Sequence, residues 1–123
     1  MSSIILIVDD NMDFLVNLQL TLEFNNYQAI SAENGIEAIN VLRELKELPI
    51  LIISDILMPE MNGYEFFRTI SKNPKWKNIP FLFITGYSPI EDDLRSEKII
   101  EDDIMIKPYK EDELLQIISE KIV

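Results

Sequence analysis

Short aliphatic runs alternate along the chain with longer stretches in which apolar residues recur every three or four positions. Ile4–Val8 is continuously apolar and stops at Asp9-Asp10, which is how a strand buried on both faces reads. Leu15, Leu18 and Leu22 then recur at helical spacing, and Asn25-Asn26 offers a C-cap. Tyr27–Ala32 predicts a second strand. Asn34-Gly35-Ile36-Glu37 has the spacing of a capping box and opens a helix carrying Ile36, Ile39 and Leu42. Leu48-Pro49 leads into a third aliphatic run, Ile50–Ser54, which again stops at an acid, Asp55. A loop follows over Met58–Gly63, and a helix runs from near Gly63 to about Lys72, where Asn73-Pro74 breaks it.

Pro80–Ile84 predicts a fourth strand, followed by Thr85-Gly86. Ser88-Pro89-Ile90-Glu91 reads as a helix start with proline at the first helical position. That helix is poorly amphipathic, with Ile90, Leu94 and Ile99 among many charges. Asp103–Ile106 predicts a short fifth strand. After Lys107-Pro108, Glu111–Ile122 forms a last helix bearing Leu114, Leu115, Ile118 and Ile122. Five strands alternating with five helices predict an α/β domain, a parallel sheet with helices on both faces and right-handed crossovers. Without a repeat, linker or low-complexity segment, a single domain over residues 1–123 is expected.

Composition narrows the partners. Eleven basic against 22 acidic residues give a net charge of −11, which repels nucleic-acid backbones and anionic lipid surfaces. There is no cysteine, so no disulfide framework, and the N-terminus lacks the basic region of a signal peptide. No apolar run approaches the roughly 20 residues that span a bilayer. A cytoplasmic protein is expected. The absence of histidine excludes imidazole catalysis, histidine-containing zinc sites and a phosphohistidine of the chain's own.

The candidate chemistry sits where strands end. Asp9-Asp10, Asp55, Thr85 and Lys107 each close a strand at its carboxyl end. In an open parallel sheet these ends converge on a ligand crevice at the point where strand order reverses. Singly, each has a plain explanation: one acid before a helix caps it, and Thr85-Gly86 or Lys107-Pro108 is an ordinary turn. Two adjacent acids exceed what one cap needs, and with Asp55 nearby their repulsion calls for a counter-ion. Carboxylates without imidazole or thiol suit a hard cation, Mg²⁺ above all, with Ca²⁺ also possible. A carboxylate nucleophile, a divalent ion, a hydroxyl and a lysine together read as phosphoryl transfer.

Val8-Asp9-Asp10, Asn34-Gly35, Glu37-Ala38, Asp55, Met58-Pro59, Gly63, Thr85 and Lys107-Pro108 together resemble the receiver domain of two-component response regulators, over essentially the full chain. The resemblance implies a flavodoxin-like doubly wound five-stranded sheet of order 2-1-3-4-5. It implies that Asp55 is the phosphoacceptor, and that Asp10, Asp55 and the Leu57 carbonyl ligate Mg²⁺ while Asp9 acts through bound water. Lys107 would pair with phosphoryl oxygens, and Thr85 would swing toward them with its loop. The donor would be a sensor histidine kinase or histidine phosphotransfer protein, and the output an unknown downstream protein target. Self-phosphorylation from small donors and self-dephosphorylation by water are further family properties.

Three positions depart from the family pattern. Ile104 stands where most receivers carry an aromatic switch residue, with Tyr87 or Tyr109 as candidate replacements. Ile100-Glu101 replaces a common Gly-Ala, which implies an unusual partner surface. Leu57 and Tyr87, two residues beyond Asp55 and Thr85, offer no base to orient water, so self-dephosphorylation should be slow. Two other readings compete with the switch. A phosphorylation-independent adaptor of receiver fold would also suit Ile104. A metal-dependent phosphatase with an aspartyl nucleophile would want an acid where Leu57 stands, and ranks low. The sequence is compatible with a stand-alone receiver and with one cut from a longer protein such as a hybrid kinase.

Overall fold

In the computed structural model, which describes residues 3–122, each aliphatic run becomes a strand of one parallel sheet. The strands are β1 (Ile4–Val8), β2 (Gln28–Ala32), β3 (Leu51–Ser54), β4 (Phe81–Thr85) and β5 (Ile104–Ile106), in the order β2-β1-β3-β4-β5. Helices α1 (Met12–Phe24), α2 (Gly35–Glu44), α3 (Gly63–Lys72) and α4 (Glu91–Glu97) connect them, and α5 (Glu111–Lys121) follows β5. This is the expected flavodoxin-like, doubly wound α/β fold.

The inner strands are buried at every position because both faces of the sheet are covered, and they are apolar except where β3 and β4 end, at Ser54 and Thr85. Leu6, Val8, Ile52, Phe81 and Phe83 pack on one face with Ala38 and Leu42 of α2 and Phe66 and Ile70 of α3. The alternate residues Ile5, Ile7, Ile53, Leu82 and Ile84 pack on the other with Leu15, Leu18 and Leu22 of α1 and Leu114 and Ile118 of α5. An aromatic group binds α3 to β4, with the Phe67 ring 5.0 Å from Phe81 and 5.6 Å from Phe83.

Local hydrogen bonding moves several predicted boundaries. Tyr27 turns its N–H back onto the Leu22 carbonyl at 3.0 Å, so it belongs to the helix exit and β2 starts at Gln28. Asn25 is the C-cap, and Asn26 takes the left-handed conformation at φ 70°. Pro80 has no N–H for the ladder, although its carbonyl accepts from Ile52 at 2.9 Å; β4 therefore runs Phe81–Thr85 and takes Thr85 in. Asp103 lies in a 3₁₀ turn over Glu101–Asp103, leaving β5 only three residues.

The predicted start at Ser88-Pro89 is not where α4 begins. Ile90 is the N-cap, no side chain caps the helix, and α4 spans seven residues with Leu94 its buried side chain. Ile36 also departs from expectation: α2 buries Gly35, Ala38, Ile39 and Leu42, and Ile36 points outward. The box at Asn34 is half formed, since its side chain accepts from Glu37 at 2.8 Å while the Glu37 carboxylate takes the Glu33 N–H. The complete box is at α3, where Asn62 and Glu65 accept each other's backbone N–H at 2.9 and 3.0 Å.

Candidate functional site

Strand order reverses between β1 and β3, so the carboxyl ends of these two strands open a crevice. Asp9 follows β1 and donates its N–H to Ala32 of β2 at 3.1 Å; Asp55 follows β3 and donates to Val8 of β1 at 2.9 Å. Both carboxylates are thus carried on sheet backbone rather than on a free loop. The Asp55 Oδ1 accepts the Ile56 N–H at 2.7 Å, which turns the acid toward the crevice. Below it, the Gly63 N–H donates to the Ile56 carbonyl at 2.7 Å and seats the start of α3 under the site.

Asp9, Asp10, Asp55, Leu57, Thr85 and Lys107 all line one cleft of about 410 Å³. Sequence reading set Asp9, Asp10, Asp55, Thr85 and Lys107 at strand ends and the family resemblance added Leu57; the fold brings all six together. One carboxylate oxygen from each of Asp9, Asp10 and Asp55 lies within 4.8 Å of the others. Asp9 is buried, Asp55 half-buried and Asp10 exposed. Lys107 Nζ lies 2.8 Å from Asp9 Oδ2 and 3.6 Å from Asp55 Oδ2. Burial pushes the Asp9 carboxyl above its ordinary value and the Asp55 charge adds to this, against the pull of Lys107 and the Asn11 N–H.

Three carboxylates and one ammonium leave an anionic excess in a small volume. That donor set, oxygen only and over-charged, fits a hard divalent cation. Thr85 supplies a second unfinished valence. Its side chain is fully buried, and its hydroxyl has no hydrogen-bond partner among the described residues. Such an orphan costs about 1–3 kcal/mol, so it marks a place where an acceptor belongs. The Thr85 carbonyl accepts the Lys107 N–H at 2.8 Å and so ties the ends of β4 and β5 together.

Sequence reading missed Phe14. Its ring lies 3.9 Å from Lys107 Nζ and meets Tyr109 edge-on at 6.4 Å, so the ammonium is held between an aromatic face and two carboxylates. No local signal marks Phe14, because the contact spans from α1 to the loop after β5. Tyr109 therefore lies behind Lys107. Tyr87 lines the cleft instead, on the loop after Thr85. Burial raises its phenol, and the Asp55 and Asp93 charges add to this. Tyr64, on α3, is pushed up to about 12 by burial and by the neighbouring Tyr87. Ile104 packs half-buried against the core face that holds Phe83 and Leu94.

Residues 5–119 match the sequence profile of the response regulator receiver domain. The chain is 33% identical over 116 residues to an uncharacterised 14.6 kDa protein of Leptolyngbya boryana, covering 94% of this chain and 87% of that one. It is also 33% identical over 110 residues to the probable transcriptional regulator ycf27 of Pyropia yezoensis, covering 89% of this chain but only 43% of that protein. Among solved structures, the signal receiver domain of a histidine kinase from Syntrophus aciditrophicus superposes with a TM-score of 0.85 at 36% identity. That match covers 97% of this chain and 89% of the other. No helix among the described residues is long and apolar enough to cross a membrane.

Proposed function

The chain belongs to the response regulator receiver family, and from that premise we propose that it is a phosphorylation switch of a two-component relay, with Asp55 as phosphoacceptor. The observation that carries this reading is the meeting of three carboxylates within 4.8 Å, Lys107 and the partnerless Thr85 hydroxyl in one open cleft. Asp55 Oδ2 attacks the phosphorus of a phosphohistidine on another protein, whose ring is protonated at its other nitrogen; the P–N bond breaks, and its electron pair leaves with the ring nitrogen. The product is an acyl phosphate on Asp55 and a neutral histidine on the donor. A chain without histidine carries no phosphohistidine of its own, so that group would come from a sensor histidine kinase or a histidine phosphotransfer protein.

The oxygen-only donor set suits Mg²⁺: Asp10, Asp55 and the Leu57 carbonyl would hold it, Asp9 would assist, and the ion would supply charge neutralisation for phosphoryl oxygens. Lys107 already bridges Asp9 and Asp55, so its ammonium stands ready to turn onto a phosphoryl oxygen. The Thr85 hydroxyl donates to another, which ends its isolation and draws Gly86-Tyr87 along. With no aromatic ring at Ile104, Tyr87, which lines the cleft on the loop after Thr85, would report that movement. We place the protein in the cytoplasm, as one receiver domain over residues 1–123 acting on a downstream protein target.

The test uses a purified phosphotransfer domain carrying labelled phosphohistidine. Label should pass to the wild type in the presence of Mg²⁺, stop with EDTA, and not pass to Asp55→Asn. Equal labelling of Asp55→Asn would overturn the assignment of the acceptor. The adaptor reading draws its support from Ile104, and predicts no labelling under any condition.

A further inference from the structure

At the opposite end of the sheet from Asp55, a cluster of cations gathers around the starts of β3 and β4. Between Glu65 and Glu91 the chain has no acidic residue but carries Arg68, Lys72, Lys75 and Lys77, within a protein of net charge −11. The last turn of α2 and the segment after it add Arg43 and Lys46. The chain enters β3 and β4 here, so these cations gather at the amino-terminal end of the sheet. Arg68 is paired with Glu97 at 3.0 Å. The other five are exposed and form no ion pair with any described residue, although acids outnumber bases two to one.

Helix dipoles explain part of this. Arg43 and Lys72 lie in the last turns of α2 and α3, where a cation is favoured. Lys46, Lys75 and Lys77 lie beyond both helices, and no helix end explains them. Arg43, Lys46 and Lys75 line a groove of about 720 Å³, larger than the acidic cleft, with Leu45, Leu48 and Trp76 supplying apolar wall. Leu48 is 46% exposed. The wall on the β4 side is rigid: Asn73 accepts the N–H groups of Lys75, Trp76 and Lys77 at 2.8, 3.1 and 2.9 Å. Glu44 and Glu47, the nearest acids in sequence, do not line the groove.

We infer that this groove is a docking site for an acidic peptide segment of a partner protein, separate from the phosphoryl site. Unpaired cations on one rim select carboxylates, and the exposed leucine wall selects a peptide that also carries a leucine or phenylalanine. A nucleic acid is the poorer occupant. It offers no aliphatic side chain to Leu45 and Leu48, and as an extended polyanion it meets the repulsion of the rest of the surface.

Trp76 is the only tryptophan of the chain and is 6% exposed in the groove wall, so it reports occupancy directly. The probe is a fluorescein-labelled peptide in which glutamates flank a Leu-Phe pair, followed by anisotropy, with Trp76 emission read on the unlabelled peptide. Saturable binding is expected, with Trp76 emission following the same isotherm and a weakening of at least tenfold in the Lys46→Glu/Lys75→Glu variant. Lys46→Gln/Lys75→Gln should weaken it less, and both variants should keep Mg²⁺-dependent phosphorylation. Binding that leaves Trp76 emission unchanged, or equal affinity in the charge-reversed variant, would overturn the proposal. So would absence of binding, or tighter binding of oligothymidylate or phosphatidylserine vesicles than of the peptide.

Discussion

Replacing Gly63 by alanine would place a Cβ 2.2 Å from the carbonyl oxygen of Asp55 and 2.8 Å from the Cα of Ile56. Ordinary C···O contacts fall at about 3.3–3.6 Å, so α3 or the Asp55 backbone must give way by about 1 Å. Both obstacles are backbone, held by the 2.7 Å bond from Gly63 to Ile56, and no rotamer change relieves them. Overpacking typically costs about 1–3 kcal/mol, and an immovable neighbour puts Gly63→Ala at the top of that range. That corresponds to a fall in Tm of about 12 °C for a domain of this size. Gly35→Ala meets only the side chain of Met61, at 2.8 Å, which can turn aside, so about 1 kcal/mol is expected. Gly86→Ala meets nothing within 4 Å and should be neutral or slightly stabilising. Urea unfolding of the three variants gives the order directly. Wild-type stability for Gly63→Ala, or a larger loss for Gly86→Ala, would refute the packing described beneath Asp55.

Further outcomes follow from the same site. Thr85→Val removes a buried hydroxyl that has no partner, and should stabilise the unphosphorylated protein by about 1 kcal/mol while impairing the phosphorylated state; a loss of stability in urea would show that the hydroxyl is satisfied. The neutral form of Tyr64 is favoured on folding, since its phenol is raised from 10.0 to about 12. Stability from this group is therefore complete below pH 10 and lost as pH rises toward 12. Absorbance titration should show a late phenolate transition that Tyr64→Phe removes, and its persistence in that variant would reassign it. Leu57 and Tyr87 line the cleft without a base to orient water, so the acyl phosphate should last minutes or longer. Leu57→Glu should shorten that lifetime, and a wild-type lifetime of seconds would contradict the reasoning.

Much of the fold was legible because two-sided burial makes inner strands into continuous aliphatic runs, as in Ile4–Val8 and Leu51–Ile53. The acids were legible for the same reason: a charge directly after such a run must stand at a sheet edge. Boundaries were lost where one hydrogen bond decides them, as at Tyr27 and Pro80. Helix α4 was misplaced because it buries only Leu94 and its first turn is all acid, leaving the Ser-Pro pair as a false start. The cap at Asn62 had the same Asn-x-x-Glu spacing as Asn34 and was open to the same reading. Phe14 beneath Lys107 had no such trace, because a contact between residues 14 and 107 exists only after the sheet has formed.

The most direct measurement is intact mass after incubation with acetyl phosphate, with and without Mg²⁺, on wild type and Asp55→Asn. A gain of one phosphoryl group in the wild type only, and only with Mg²⁺, is predicted. The same gain in Asp55→Asn, or in the wild type without a divalent cation, would contradict the assignment of Asp55 as a metal-assisted phosphoacceptor.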